Sequence, residues 1–191
     1  MPKLGMEPLR KRQLIEATVA SLHAHGFAET TVQTIGRAAG MSPGIIHHYF
    51  GGKSALLEET MRALLIELRA CTIAALRDAP TPLARLEAVI DASFADRQFQ
   101  PQVIATWLAF WAEARHQPGL ARLQHVYARR LASHLRHGLR PLLAADRVAV
   151  AAAGLAAIID GLWLSLALGH HALTPAGARL LARDHLHRQL G

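Results

Sequence analysis

The chain has 191 residues, 51% of them hydrophobic, and a formal charge of +7 from 21 Lys and Arg against 14 Asp and Glu. That is enough for one large domain, or for a small domain feeding a larger one, with a sizeable core. One cysteine, Cys71, excludes an intrachain disulfide framework and fits a reducing compartment, and the positive charge permits a partner such as nucleic acid without requiring one.

Alanine and leucine dominate and β-branched residues are sparse, which points to an all-α protein. The opening MPKLGMEPLRKR has no apolar signal-peptide core, so a cytoplasmic protein is expected. A first helix is predicted over 7–25, stopped by Gly26. Two short helices follow over 31–39 and 43–49, then a long one over 53–78. Further helices are predicted over 82–97, 101–116, 118–138, 145–168 and 175–190, giving about nine. Their starts are marked by Ser42-Pro43, Thr81-Pro82 and Thr174-Pro175, each a hydroxyl cap before a proline at the first helical position, where a missing N–H costs nothing. Gln100-Pro101 and Gln117-Pro118 act in the same way with a weaker cap. Gly40, Gly51-Gly52 and Gly169 are read as stops. The chain thus divides into a three-helix head, residues 1–52, and a larger helical bundle, residues 53–191.

The head is the more specific part. In ETTVQTIGRAAG, Thr30 with Gln33 reads as a capping box, and Val32, Ile35 and Ala39 recur at helical spacing. Gly40 ends that helix, a three-residue turn follows, and Ser42 caps the next. Two short helices crossing at a glycine-containing turn form a helix-turn-helix. In PGIIHHYF, Ile45, Ile46 and Phe50 can pack inward, leaving Ser42, Pro43, Gly44, His47 and His48 outward with Tyr49 at the edge. The small residues allow close approach to a groove, the imidazoles can bond base edges or phosphates, and the tyrosine hydroxyl can reach a phosphate. Lys53 opens the following helix, where its charge adds to the free N–H groups as a phosphate holder. The candidate DNA contacts are Thr30, Thr31, Gln33, Ser42, Pro43, Gly44, His47, His48, Tyr49 and Lys53.

The stretch TTVQTIGRAAGMSPGIIHHYFGGKSALL resembles the DNA-binding signature of the TetR family of bacterial repressors. MPKLGM, WLAFWAEARHQPGLARLQ and LAAIIDGLWLSLAL resemble the choline-responsive repressors of glycine betaine synthesis genes within it. Gly51-Gly52 and Pro43 depart from the usual signature, so the operator sequence is not carried over. The resemblance implies an all-α homodimer reading an inverted-repeat operator in double-stranded DNA, with a pocket for choline in each C-terminal bundle. It implies that the ligand acts on the helix beginning at Lys53 and changes the separation of the two recognition helices. A TetR-type regulator for another cationic or hydrophobic molecule is the alternative.

In the bundle, Trp107, Phe110, Trp111 and Ala114 fall at i, i+3, i+4 and i+7 and share a helical face. Trp163 follows Asp160 by three residues on its own helix. An aromatic stripe is ordinarily core, but a carboxylate beside tryptophans calls for a positive partner. A quaternary ammonium ion has no N–H to donate and is held by aromatic faces. The candidate cage is Trp107, Phe110, Trp111 and Trp163, with Asp160 or Glu113 as counter-charge and Phe94 and Tyr127 as further members. Asp160 either faces the ligand or hydrogen-bonds within the bundle. The apolar run 148–168, with Asp160 its only charge, is long enough for a membrane span. A buried carboxylate makes such a span costly, and a small-residue face closing a four-helix bundle with a second subunit explains it better.

No phosphate loop, no serine in a triad context and no Cys-x-x-Cys is present, so neither catalysis nor a cofactor is expected. His134 with His137, and the adjacent His170 and His171, lack a further ligand at metal spacing, so no metal is expected either.

Overall fold

The structure is a computed structural model and describes residues 6–169 and 173–191. It is all-helical there: α1 (Met6–Glu29), α2 (Val32–Ala39), α3 (Pro43–Phe50), α4 (Lys53–Arg77), α5 (Pro82–Ser93), α6 (Pro101–Glu113), α7 (Pro118–Leu139), α8 (Ala145–Ala167) and α9 (Pro175–Leu190), with a short 3-10 turn at Asp96–Phe99 between α5 and α6. His170 and His171 lie outside the described residues.

The helix starts expected at Pro43, Pro82, Pro101, Pro118 and Pro175 are all found, but the Ser42 and Gln100 side chains make no cap bond. Thr81 and Thr174 accept from the N–H groups of Ala84 and Gly177, with proline at the first position. Three details differ. α1 continues past Gly26 to Glu29, but Gly26 itself is non-helical at φ 70°, so its stop survives as a kink inside the element. The helix expected over 82–97 ends at Ser93, because Phe94 turns its side chain wholly into the core and its backbone leaves helical geometry. The helix expected to 116 ends at Glu113.

The chain forms two compact units. The first contains the residues up to Leu65 and Gln100–Gln124, so α6 belongs with α1–α3 in this unit. That line of division differs from the one read at residue 52. Within the unit α1 packs on α2, α3 and α6. Leu14, Ala17, Ile35, Ile46 and Leu56 form its core, flanked by Val32, Ala39, Met41, Ile45, Tyr49 and Phe50. Gly36 is required by a close approach: a Cβ there would stand 2.8 Å from the Met41 carbonyl oxygen in the turn between α2 and α3. A Cβ on Gly119 would overlap the Glu58 carboxylate, which brings α4 against the start of α7.

The second unit holds Ile66–Phe99 and His125–Gly191. Here α8 packs on α9 and α5 on both. Leu86, Ile90, Phe94, Leu135, Leu155, Ile159, Ala178 and Leu186 are fully or almost fully buried. A polar seam runs along α5 and α9, where Arg183 pairs with Asp91 at 2.6 Å, Arg179 donates to the Phe94 carbonyl oxygen at 2.7 Å, and His187 meets Glu87 at 3.0 Å. By length and composition α8 could cross a membrane. In the fold it serves as a bundle helix whose Val148, Ala151, Ala152, Leu155, Ile159 and Trp163 are buried.

Candidate nucleic-acid interface and effector site

α2 begins one residue later than the capping box read from the sequence. Thr31, not Thr30, is the N-cap: its hydroxyl accepts from the Thr34 N–H at 3.1 Å, and the Thr34 hydroxyl accepts from the Thr31 N–H at 2.8 Å. Thr30 is fully buried; its hydroxyl donates to the Gly26 carbonyl oxygen at 2.7 Å and receives a bond from Ser21 at 3.2 Å. Thr30 therefore closes the α1 kink and is out of reach of DNA, while Gln33 stands exposed on α2. A usable signal is present in the sequence here, since Thr30, Thr31 and Thr34 offer three hydroxyls in five positions, but their roles depend on where α1 stops.

α2 closes at Gly40 in the left-handed conformation, φ 63°, with the Met41 N–H bonded to the Gly36 carbonyl oxygen at 2.8 Å. α3 then runs from Pro43. Ser42 sits at its N-cap position without a side-chain cap bond, which leaves its hydroxyl free of that duty. Ile46 is wholly buried, Ile45, Tyr49 and Phe50 are half-buried, and Ser42, Pro43, Gly44, His47 and His48 are exposed. One helix thus has a small polar outer face and an apolar inner one. The His48 and Tyr49 rings lie 4.9 Å apart.

Lys53 is placed otherwise than expected for a free phosphate clamp. Its ammonium lies over the Phe27 ring and reaches the Phe27 carbonyl oxygen, joining the first residue of α4 to the kinked end of α1.

The expected aromatic set falls into two groups. In the first unit, Trp107 and Phe110 are buried on α6 with ring centroids 5.8 Å apart, and Trp111 stands 6.4 Å from Trp107. Glu113 accepts from the Gln117 side-chain amide at 3.1 Å. In the second unit, Phe94, Phe99 and Trp163 form a chain of rings at 6.3 and 6.1 Å. The Tyr127 hydroxyl donates to Asp160 Oδ1 at 2.7 Å, and Asp160 is half-buried one helical turn before Trp163. Burial raises the Asp160 carboxyl above its ordinary range, and the Tyr127 hydrogen bond pulls it back in part. Burial, followed by the Asp160 charge and hydrogen bond, holds the Tyr127 phenol well above its own. Phe99 is a ring that sequence reasoning missed, because it lies in the break before Pro101 and shows no helical periodicity.

Residues 82–191 match the C-terminal region of BetI-type transcriptional repressors, and residues 14–60 match the bacterial regulatory proteins of the tetR family. The HTH-type transcriptional regulator BetI 2 of Chromohalobacter salexigens is 48% identical, over all of this chain and 93% of that protein. A transcriptional regulator from Pseudomonas aeruginosa PAO1 superposes with a TM-score of 0.87 at 32% identity, over 96% of this chain and 91% of that one. A regulator from Saccharomonospora viridis, solved in complex with choline, has a TM-score of 0.79 at 20% identity, over 93% of this chain and 95% of that one. The chain belongs to the TetR family of bacterial transcriptional regulators. Within it, the C-terminal match and the near full-length likeness make it a BetI-type repressor, a regulator of transcription and not an enzyme.

Proposed function

We propose that the protein is a cytoplasmic homodimeric repressor of genes for converting choline to glycine betaine, and that choline bound in the C-terminal bundle modulates its grip on an inverted-repeat operator. The observation that carries the effector reading is the Tyr127–Asp160 pair. A carboxylate whose burial already disfavours its charge stands one turn from Trp163, next to the ring chain Phe99–Phe94. A quaternary ammonium ion supplies the missing positive charge without needing an acceptor, and aromatic faces add about 0.5–2 kcal/mol each. The choline held by the Saccharomonospora viridis regulator supports the same ligand class. Trp107, Phe110 and Trp111 with Glu113 form a rival aromatic set on α6, favoured by the tryptophan pair.

The DNA reading rests on α3, whose outer face offers Ser42, Pro43, Gly44, His47 and His48 to a major groove, with Tyr49 at its edge and Thr31 and Gln33 contributed by α2. Dimerisation is assigned to α8 and α9. Val150, Ala153, Ala157, Gly161 and Leu164 recur at helical spacing along one exposed, uncharged face of α8, continued by Leu168 just past its end, and Leu180 and Leu181 are exposed on α9. Choline and operator then lower each other's affinity by the same factor.

The test is fluorescence anisotropy of the purified protein on DNA from upstream of its own gene, with and without millimolar choline. Salt-dependent, sequence-preferring binding that weakens with choline is expected. Specific binding indifferent to choline removes the assigned effector, and an absence of specific binding across genomic fragments removes the operator reading.

A further inference from the structure

Between Glu113 and Asp146 the chain has no carboxylate side chain, yet it carries six arginines and four histidines. α7 fills most of that interval. Its inner face is occupied by Leu131, Leu135, Gly138 and Leu139, all buried, with Gly138 so close to Leu86 of α5 that a Cβ would meet that side chain at 2.7 Å. Its outer face in the second unit carries Arg129, Arg136 and Arg140 at i, i+7 and i+11, all exposed, with Arg130 and His137 beside them. The Arg140 N–H still bonds to the Arg136 carbonyl oxygen at 3.0 Å, so the helical register carries through to Arg140. At 1.5 Å per residue the row is about 16 Å long.

None of Arg129, Arg130, Arg136 and Arg140 has an ion-pair partner among the described residues. Of the fourteen other arginines of the chain, five, Arg12, Arg62, Arg97, Arg183 and Arg188, meet a carboxylate. The field at the edge of this face is positive. His134 is held below the ordinary imidazole range by burial first, then by the charges of Arg85, His137, Arg130 and Arg69. A face built this way repels itself in isolation and calls for a polyanion. The large exposed hydrophobic side chains lie on α1, α4, α8 and α9 and beyond the end of α8, with none on α7 among the described residues. A bilayer therefore finds nothing there to take into its apolar layer. Arginine's planar fork matches phosphate oxygens two at a time.

We propose that the outer face of α7 is a sequence-independent docking surface for the phosphate backbone of duplex DNA, held by Arg129, Arg136 and Arg140, in addition to the groove contacts of α3. About five phosphates of one strand span a row of this length at 3.4 Å each.

The test uses the full-length protein and a random-sequence duplex that lacks the operator, with log Kobs followed against log salt. The triple variant Arg129→Gln/Arg136→Gln/Arg140→Gln is compared with Arg62→Gln/Arg97→Gln/Arg188→Gln, which removes the same charge from ion-paired positions. The first is expected to lower the slope by about 0.9 for each phosphate no longer neutralised, roughly 2.7 per protomer, and the second to leave it unchanged. Replacing the same three arginines by lysine is expected to keep the slope, which separates an effect of charge from an effect of misfolding. A slope that stays unchanged in the first triple, or falls equally in both, overturns the proposal. So does a first triple that keeps its DNA slope but no longer sediments with phosphatidylglycerol vesicles, an outcome that assigns the face to a membrane.

Discussion

The Lys53 ammonium stands 4.7 Å from the Phe27 ring centroid and donates to the Phe27 carbonyl oxygen at 3.4 Å. Three residues after the end of α3, this contact fixes the start of α4 against the kinked end of α1. Both Lys53→Met and Phe27→Leu should therefore weaken operator binding, although Phe27 offers DNA nothing polar. A cation–π contact of about 0.5–2 kcal/mol corresponds to roughly a 2- to 30-fold loss. A loss with Lys53→Met alone would show that the ammonium acts on phosphate directly.

His47 is exposed on the outer face of α3 and carries no packing role. His47→Ala should leave thermal stability unchanged and relax base preference at one operator position, by about 1–3 kcal/mol of discrimination if the imidazole meets a base edge. Competition titrations with single-base operator variants would measure this. Uniform weakening on every variant would place the ring at a phosphate.

Asp160 makes a pH-dependent prediction with a defined sign. Its carboxyl is raised by burial, so choline binding, if held by this carboxylate as proposed, should weaken as pH falls through a range above that of ordinary aspartates. For folding, the proton-bound form is the favoured one. The contribution is present below the ordinary aspartate range and lost as pH rises through the raised value. Asp160→Asn should therefore remove choline binding and its pH dependence without lowering the melting temperature at pH 7, since the amide oxygen can still accept from Tyr127. Isothermal titration and melting curves from about pH 3 to about 8 check both halves. A large loss of stability at pH 7 would show that the carboxylate is held by more than Tyr127.

Gly36→Ala brings a methyl to 2.8 Å from a backbone oxygen in the α2–α3 turn, where no side chain can yield. Overpacking of this kind costs about 1–3 kcal/mol and should also disturb the crossing of the two helices. Loss of operator binding exceeding the loss of stability is expected, read by anisotropy beside chemical denaturation. An unchanged midpoint would mean the turn relaxes freely.

Leu180 is 69% exposed and Val150 is 76% exposed in the single chain. Introducing a charge at either, by Leu180→Glu or Val150→Glu, should yield monomers by light scattering and reduce operator affinity steeply, because a half-site contact replaces two. Dimers that persist in both variants would move the interface elsewhere.

Much of the helical layout was legible because prolines and hydroxyl caps sit at the starts and the apolar spacing is regular. The inward turn of Ile46 and the outward set around His47 could be read from eight residues, since α3 is short and its faces differ sharply. The capping register at Thr30 and Thr31 was not legible, because it depends on how far α1 runs past Gly26. The engagement of Lys53 by Phe27 joins positions 26 residues apart, which no local pattern reports. Spacing along α6 and α8 could show that Trp107 and Trp163 each lie on an apolar face. It could not show that α6 packs with α1 while Trp163 packs with Phe99, since that is decided by tertiary contact alone.

The seam between α5 and α9 has a consequence for motion. Its links recur about one helical turn apart, at Glu87, Asp91 and the Phe94 carbonyl against His187, Arg183 and Arg179. A slip of α9 by one or two residues would break all three together. A slip of a full turn, about 5.4 Å, would set Arg183 against Glu87 and Arg179 against Asp91 and restore opposite charges. The seam is therefore a detent. It resists small sliding and leaves steps of a whole turn as the next arrangements in which α5 and α9 are again matched.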